Sequence, residues 1–156
     1  MAVPKIFICG IGNKLKGDDG VGPHVIEKLK EKELPENITV EDFGISGFKT
    51  ALEIGNYDKV IFVDAVQRGE KPGSLYKSEL NREEFLENPS LASCSVSLHE
   101  SDLEKILSSA ASLHSFPHTV VVIGCEPEDL STGLGLSQSV KKSVDTIVEM
   151  VLEEID

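Results

Sequence analysis

The stretch KVIFVD, residues 59–64, is apolar at four successive positions and ends in a carboxylate. An uninterrupted apolar run of this length predicts a central strand that is covered on both faces. The stretches KIFIC, 5–9, and TVVVIG, 119–124, have the same character. Together these runs predict a mostly parallel sheet at the centre of the molecule.

Helical patterns lie between these runs. Val21, Val25, Ile26 and Leu29 recur at the spacing of one helix face, with Pro23 in the first turn, where proline is tolerated. A short helix after position 47, a helix over about 100–111 and a single last helix are also predicted. The last helix carries its apolar residues along one stripe: Val140, Val144, Ile147, Val148, Val151 and Ile155.

Two further strands are predicted at 38–42 and at 74–78. The second follows a turn at Pro72 and Gly73, and we expect it to be an edge strand that runs in the opposite direction. Strands that alternate with helices predict a single α/β domain over residues 1–156, built as three layers with helices on both faces of a mostly parallel sheet.

The charge balance limits the expected partners. The chain has 156 residues, of which 40% are apolar and 27% charged, and its formal net charge is −12. Nucleic acids and anionic membranes both attract basic patches, so neither is an expected partner. No apolar run reaches the roughly 20 residues that cross a bilayer, and the first residues lack the features of a signal peptide. We therefore expect a cytoplasmic protein.

The three cysteines predict no metal or disulfide framework. Cys9, Cys94 and Cys125 are far apart and lack CxxC spacing, so neither disulfides nor a zinc ribbon is indicated. Cys9 and Cys125 stand at strand ends, where small buried side chains are expected rather than nucleophiles.

Four segments rich in glycine or acidic residues follow predicted strands. They are GIGNKLKGDDG, 10–20; DFGISG, 42–47; DAV, 64–66; and GCEPE, 124–128. In open α/β sheets, ligands and chemistry collect at the carboxyl ends of the strands. A site is therefore expected where these segments meet.

Asp18 and Asp19 allow two interpretations. One carboxylate is a good cap for the first helix, which leaves the second for another use. Gly10 and Gly12 also suggest a dinucleotide loop, but its fingerprint needs a third glycine where Leu15 stands. The acidic pair would also repel a pyrophosphate at the start of the helix. Binding of a small molecule by this loop is the weaker interpretation.

Asp64 and His99 also allow two interpretations each. A carboxylate at the end of a buried strand either accepts backbone N–H groups of the following loop or takes part in chemistry. His99 lies between Ser97 and Glu100, which fit a capping box, so it is either a surface residue of the first turn or a ligand. It is not part of an HExxH zinc motif, because position 103 is leucine.

Taken together, Asp19, Asp64 and His99 form a candidate three-ligand set with open positions. Carboxylate oxygen and imidazole nitrogen suit a borderline divalent metal such as nickel or zinc. Such a site supports hydrolysis by lowering the pKa of a metal-bound water. Without a metal, a carboxylate acts as a general base instead. The residues alone do not choose between these mechanisms.

The ordered motifs resemble those of the hydrogenase maturation endopeptidases. The opening motif is GIGNKLKGDDGVG, 10–22, and DFGISG, VDA at 63–65, LHE at 98–100 and GCEPE follow in the order of the family. The resemblance covers nearly the whole chain. It implies a twisted mixed sheet of about five strands between helices. It also implies an endopeptidase that removes the C-terminal extension of a nickel–iron hydrogenase large-subunit precursor after nickel insertion, shortly after the precursor's last cysteine motif.

The resemblance assigns roles by position. The metal-contacting residues become Asp19, Asp64 and His99, and the acidic residue of the second glycine motif, often proposed for catalysis, becomes Asp42. Many relatives have glutamate at the position of Asp19. The side chain of aspartate is shorter, which shifts the expected position of the metal. The second motif differs too: relatives usually have threonine at position 45, which is isoleucine here, and the hydroxyl moves to position 46.

On this hypothesis, nickel is contacted in the precursor, no permanently bound cofactor is expected, and other divalent metals are able to occupy the site. The expected catalytic residues are Asp42, Asp19 and Asp64. The scissile peptide is expected to lie against Gly44, Ser46 and Gly47, since glycine permits close approach. A water activated by the metal or by Asp42 would attack it. The partner is the large-subunit precursor, and a monomer is expected. The alternative is a non-enzymatic nickel-binding or delivery module that uses the same three ligands.

Overall fold

The computed structural model describes residues 3–44, 47–87 and 102–155. The strands within these residues form one sheet: β1 Ile6–Ile11, β2 Ile38–Gly44, β3 Lys59–Ala65, β4 Leu75–Asn81 and β5 Thr119–Cys125. Their order across the sheet is β2-β1-β3-β5-β4. All neighbours are parallel except β4, which pairs antiparallel with β5 at the edge. The predicted mixed sheet and its reversed edge strand are confirmed.

Helices cover both faces of this sheet. They are α1 Val21–Lys30, α2 Gly47–Glu53, α3 Arg82–Glu87, α4 Asp102–Ser112, α5 Gln138–Lys141 and α6 Val144–Ile155. A 3-10 helix, Gly17–Gly20, precedes α1, and another, Ile54–Asn56, follows α2. Among the described residues, no helix has both the length and the apolar character that a bilayer crossing requires.

The two faces of the sheet hold separate apolar clusters. Ile61 and Val63 of β3 pack with α1 and α6, on what we call the α1 face. Val60 and Phe62 pack with α2 and α4 on the opposite side, the α4 face. All four side chains are fully buried. Successive strand residues point to opposite faces, so a strand covered on both sides is apolar at every position, as the continuous run predicts.

The prediction of a single last helix is wrong, because α5 and α6 are separate. The N–H of Ser143 donates to the carbonyl of Val140, three residues back, at 2.9 Å. The Ser143 hydroxyl donates to the carbonyl of Gly73 at 2.7 Å, in the loop before β4. The tightened turn and the side-chain bond interrupt the regular helix. The apolar stripe persists across the break, since Val140 and Val144 are both buried on the α1 face.

Candidate active site

The loop after β1 meets α1 so closely that only glycine fits. A Cβ atom on Gly22 would lie 2.5 Å from the carbonyl oxygen of Val63 and 2.6 Å from that of Ile11. A Cβ on Gly12, whose φ is 127°, would lie 1.9 Å from the carbonyl oxygen of Asp19. These glycines bring the first 3-10 helix against the ends of β1 and β3. Close packing therefore accounts for Gly12, one of the two glycines that also suggested a dinucleotide loop.

Asp19 lies beside the end of β1. Its Oδ2 accepts the N–H of Asn13 at 2.8 Å. Its carboxyl carbon is 3.6 Å from the position that a Cβ on Gly12 would occupy, and the side chain is half-buried. Neither Asp19 nor its neighbour caps α1, because the N-cap is Gly20 and makes no side-chain bond. The capping interpretation is therefore wrong for both aspartates.

Asp64 lies near the end of β3 and is 6% exposed. Its Oδ1 accepts the N–H of Ala65 at 2.8 Å. Two residues after Phe62, it continues the α4 face. β1 runs beside β3, with Gly10 opposite Val63. Asp64 therefore lies at the end of β3, and Asp19 lies in the first 3-10 helix, which packs against β3 and passes beside the end of β1. That the two carboxylates act in one site stays a prediction.

Asp42 shares this edge of the sheet but not the same face. It lies opposite Gly10 in β2, an edge strand, and its side chain is exposed. It follows Val40 by two residues and so continues the α1 face, whereas Asp64 continues the α4 face. Two strand spacings, about 10 Å, separate β2 from β3. The catalytic role of Asp42 stays a prediction.

Part of the predicted site lies outside the described residues. His99 and Ser46 fall there, while Gly44 ends β2 and Gly47 begins α2. Within the described ranges, no group of three or more His, Cys, Asp or Glu side chains is placed to hold a metal. Because the predicted set needs His99, the three-ligand hypothesis stays a prediction. Two carboxylates at one edge have donor oxygens of the kind that divalent cations bind.

Asp18 has a structural role that the sequence did not reveal. It is fully buried, and its two oxygens accept hydrogen bonds at 2.7–2.9 Å from the N–H groups of Glu128, Asp129 and Ser137 and from the Ser137 hydroxyl. Burial raises the pKa of the Asp18 carboxyl, but these bonds outweigh burial and hold it below its ordinary value of 3.8. Asp18 therefore joins the loop after β1 to the loop after β5 as a carboxylate.

Glu126 has a similar role that sequence reasoning also missed. It is 4% exposed and accepts the N–H groups of Arg68 and Glu70 at 2.9 and 3.1 Å and the Tyr76 hydroxyl at 2.5 Å. Burial raises the pKa of Glu126, and these hydrogen bonds lower it further than burial raises it. Glu126 thereby holds the loop that follows Asp64. Its signal in the sequence was a carboxylate directly after a buried strand, the same signal that singled out Asp64.

The described cysteines are not nucleophiles. Cys9 and Cys125 are buried, at 0% and 1% exposure. Burial, together with the nearby Asp18 and Glu126 charges, raises the pKa of the Cys125 thiol to about 11, although a hydrogen bond with Ser143 opposes the shift. A neutral, inaccessible thiol does not attack a peptide bond. The prediction that both are small core residues is confirmed.

Comparison with known proteins identifies the family. Residues 23–154 match the family described as hydrogenase maturation protease. A putative hydrogenase maturation protease of Methanocaldococcus jannaschii is 36% identical over 155 residues, which cover 96% of each chain. The coenzyme F420 hydrogenase subunit delta of Methanothermobacter thermautotrophicus is 35% identical over 162 residues, which cover 97% of this chain and 94% of the relative.

A solved structure agrees with these relatives in fold. The crystal structure of a hydrogenase 2 maturation peptidase from Thaumarchaeota archaeon SCGC_AB-539-E09 has a TM-score of 0.78 and 37% sequence identity, and the match covers 97% of both chains. The similarity extends over the whole mixed sheet and the helices on its two faces. The chain belongs to the hydrogenase maturation protease family and is a peptidase of that family.

Proposed function

We propose that this chain removes the C-terminal extension of a nickel–iron hydrogenase large-subunit precursor after nickel has been inserted. The observation that carries the proposal is the position of Asp64 at the end of β3 and of Asp19 beside the end of the neighbouring strand β1, in a chain of this protease family. Two carboxylates at one sheet edge offer oxygen ligands to a divalent metal while leaving other coordination positions open. The nickel belongs to the substrate.

The orientation of α4 supports His99 as the third ligand. Leu103 and Leu107 of α4 pack on the α4 face, which is also the face of Asp64. α4 ends at Ser112, and β5 begins only seven residues later at Thr119. The carboxyl end of α4 is therefore close to the start of β5, and its amino end points toward the carboxyl ends of the strands. His99 precedes that amino end by three residues.

The charges around this edge also suit a cationic substrate centre. Asp18 and Glu126 are buried carboxylates whose pKa values are lowered by their hydrogen bonds, so both are ionised at neutral pH. Asp19 and Asp64 lie beside the loops that these two residues hold. A concentration of negative charge in a partly buried site attracts a metal cation and raises its local concentration.

In the proposed reaction, Asp19, Asp64 and His99 contact nickel in the precursor and so dock its tail. The scissile peptide lies along the segment from Gly44 to Gly47, where it is held for attack; positioning of this kind supplies a large part of a rate enhancement. A water activated by the metal or by Asp42 adds to the peptide carbonyl. The C–N bond then breaks, and the leaving amine takes up a proton.

Mass spectrometry of a nickel-loaded precursor, before and after incubation with this protein, tests the proposal. We expect the precursor to lose the mass of its C-terminal extension. A coenzyme F420 hydrogenase precursor is a suitable first substrate, since one relative is named as a subunit of that enzyme. Asp64→Asn should slow processing by about 100-fold or more, given that even the outer partners of metal ligands cost about 10–100-fold. Asp145→Asn, which changes an exposed carboxylate on α6, should process normally.

The role of His99 is tested by comparing His99→Ala with the same substitution at a second histidine. His99→Ala should lose processing while keeping the thermal unfolding temperature of the wild type. His118→Ala alters an exposed histidine just before β5, at the opposite end of the strands from Asp64, and should retain full activity. Normal processing by a folded His99→Ala protein would remove His99 from the proposed site.

The same assay separates the proposal from a nickel-binding or delivery module. Such a module would change the nickel content of the precursor and leave its mass intact. We also propose that the protein carries no permanent metal, acts in the cytoplasm and is a monomer. Tight stoichiometric zinc in the purified protein would count against the absence of a permanent metal. Light scattering measures whether the protein is a monomer.

A further inference from the structure

The loop before Asp19 and a loop that follows β5 are joined by backbone hydrogen bonds. They span residues 13–18 and 129–137. The N–H of Gly133 donates to the carbonyl of Leu15 at 2.8 Å, and the N–H of Gly17 donates to the carbonyl of Gly133 at 3.0 Å. The N–H of Asp18 donates to the carbonyl of Asp129 at 2.8 Å. With the buried Asp18 carboxylate, these bonds fix one loop relative to the other.

The turn at the start of the first loop links Leu15 to the candidate site. Asn13 Oδ1 accepts the N–H of Leu15 at 2.9 Å, and the Asn13 carbonyl accepts the N–H of Lys16 at 3.0 Å. The N–H of the same Asn13 donates to the Asp19 carboxylate. A side-chain bond to the N–H two residues on closes a tight turn. Leu15 is therefore presented at a fixed position relative to Asp19.

Both loops expose leucine side chains. Leu15 is 59% exposed and Leu134 is 80% exposed, and Leu130, on the second loop, is 37% exposed. Single exposed apolar residues are common on protein surfaces and need no explanation. Here the backbone that carries them is held by a ladder of hydrogen bonds and a buried carboxylate. Apolar side chains on such a preorganised surface suit a protein contact, because little conformational freedom is lost on binding.

We propose that Leu15 and Leu134 form a docking contact for an apolar surface of the hydrogenase large-subunit precursor, next to the edge of the sheet that carries Asp19. The proposal rests on the proposed function, since the precursor is then the macromolecule whose peptide bond must reach that edge. The turn from Asn13 to Lys16 borders Asp19 directly, so a folded substrate that brings its tail to Asp19 covers Leu15. Burial of leucine side chains in such a contact strengthens binding.

Steady-state kinetics of precursor processing test this contact. Leu15→Ser and Leu134→Ser should each raise KM by about tenfold, the change that corresponds to about 1.4 kcal/mol of binding free energy. Because the contact is the same in the ground state and the transition state, kcat should stay unchanged. Leu113→Ser is the matched control, since Leu113 is 41% exposed and follows α4 at the opposite end of the strands. Its KM should equal that of the wild type.

These measurements distinguish a failure of the docking contact from a failure of the proposed function. If the wild-type protein does not shorten the precursor, the proposed function fails. If the wild type processes it and both leucine variants keep the wild-type KM, the docking contact is refuted while the function stands. Light scattering tests whether a second copy of this chain covers the leucines instead. A wild-type dimer that dissociates in Leu134→Ser would also overturn the proposal. Equal thermal unfolding temperatures show that the variants are folded.

Discussion

At the scale of single residues, Asp18 and Asp19 are adjacent in sequence and differ completely in environment. The 3-10 helix that contains them turns by one third of a circle per residue, so neighbouring side chains point in different directions. Asp18 points inward and accepts four hydrogen bonds from the loop after β5, whereas Asp19 remains half-buried beside Gly12. The first joins two loops, and the second is available to the proposed site.

Asp18→Asn should lower the free energy of unfolding at pH 7 by about 1–3 kcal/mol, because an amide NH2 would face buried N–H donors and leave them unsatisfied. The pH dependence follows from the lowered pKa of the Asp18 carboxyl. Its stabilisation is complete above the ordinary value of 3.8 and is lost as the pH falls from there through the lower pKa of the folded state. Urea unfolding at pH 7 and pH 3 should therefore show a smaller acid destabilisation in Asp18→Asn than in the wild type.

Asp145→Asn provides the comparison for this measurement. The Asp145 carboxylate is 86% exposed and pairs with an exposed lysine, so its removal should change the stability by less than about 0.5 kcal/mol at either pH. If the wild type and Asp18→Asn lost the same stability between pH 7 and pH 3, the ionised hydrogen-bonded Asp18 described here would be wrong.

At the scale of elements, the site depends on how closely α1 lies on β1 and β3. Gly22, in the first turn of α1, fits directly against the carbonyl oxygens of Ile11 and Val63. Asp19 lies three residues before Gly22, and Asp64 directly follows Val63. The helix–sheet contact at Gly22 therefore also sets the separation of the two carboxylates.

Gly22→Ala should destabilise the fold by about 1–3 kcal/mol, since backbone oxygens at 2.5 and 2.6 Å from the new Cβ cannot move aside without shifting a strand. Processing should fall more than stability alone explains, because α1 moves away from β3 at the site. Urea unfolding and initial rates, measured where the variant is fully folded, test both effects. Wild-type stability would show that the helix does not lie this close to the sheet.

The carboxyl end of α6 is fixed by a charged cluster at the other end of the strands. Lys59 Nζ donates to Glu154 Oε2 at 2.8 Å and to the Glu154 carbonyl at 2.9 Å, and Lys77 also pairs with Glu154. The Glu154 side chain is only 11% exposed. Glu154→Ala should cost about 2 kcal/mol of stability, the range of hydrogen bonds to charged groups. Asp145→Ala, on the same helix, should cost less than about 0.5 kcal/mol. Equal costs would contradict the difference in burial.

At the scale of the whole molecule, each face of the sheet contains one described cysteine. Cys9 belongs to the cluster on the α4 face, and Cys125 belongs to the cluster on the α1 face. The five-stranded sheet lies between these two clusters. Most single domains below about 150 residues unfold in one cooperative step, and we expect the same of this slightly longer chain.

A Cys94→Ser variant makes these two cysteines reporters of cooperativity. In the native protein neither thiol should react with iodoacetamide, since both are buried and the Cys125 pKa is raised to about 11. With increasing urea, both should be labelled at the same concentration, as counted by mass spectrometry. Labelling of Cys125 well before Cys9 would show that α1 and α6 leave the sheet in a separate step.

The sequence by itself determined the α/β class, the central strands and the reversed edge strand. Continuous apolar runs have one stable environment in a protein of this size, a strand covered on both faces, so 59–64 and 119–124 were predictable from local pattern. It also indicated Asp19 and Asp64 as members of one site, because parallel strands end at the same edge. The motif order resembled a single family, which the comparisons confirmed.

Only the tertiary structure decided what each carboxylate does. A carboxylate that caps a helix and one that links two loops are the same residue type. The sequence therefore carried no local signal for the partners of Asp18 and Glu126, which lie up to 119 positions away. The separation of Asp42 from Asp64 onto opposite faces depends on strand register, which is a pairing between distant segments. The break between α5 and α6 has the same origin, since Ser143 binds a carbonyl 70 residues away. Periodicity reports the neighbours along the chain, whereas these contacts arise only when the chain is folded.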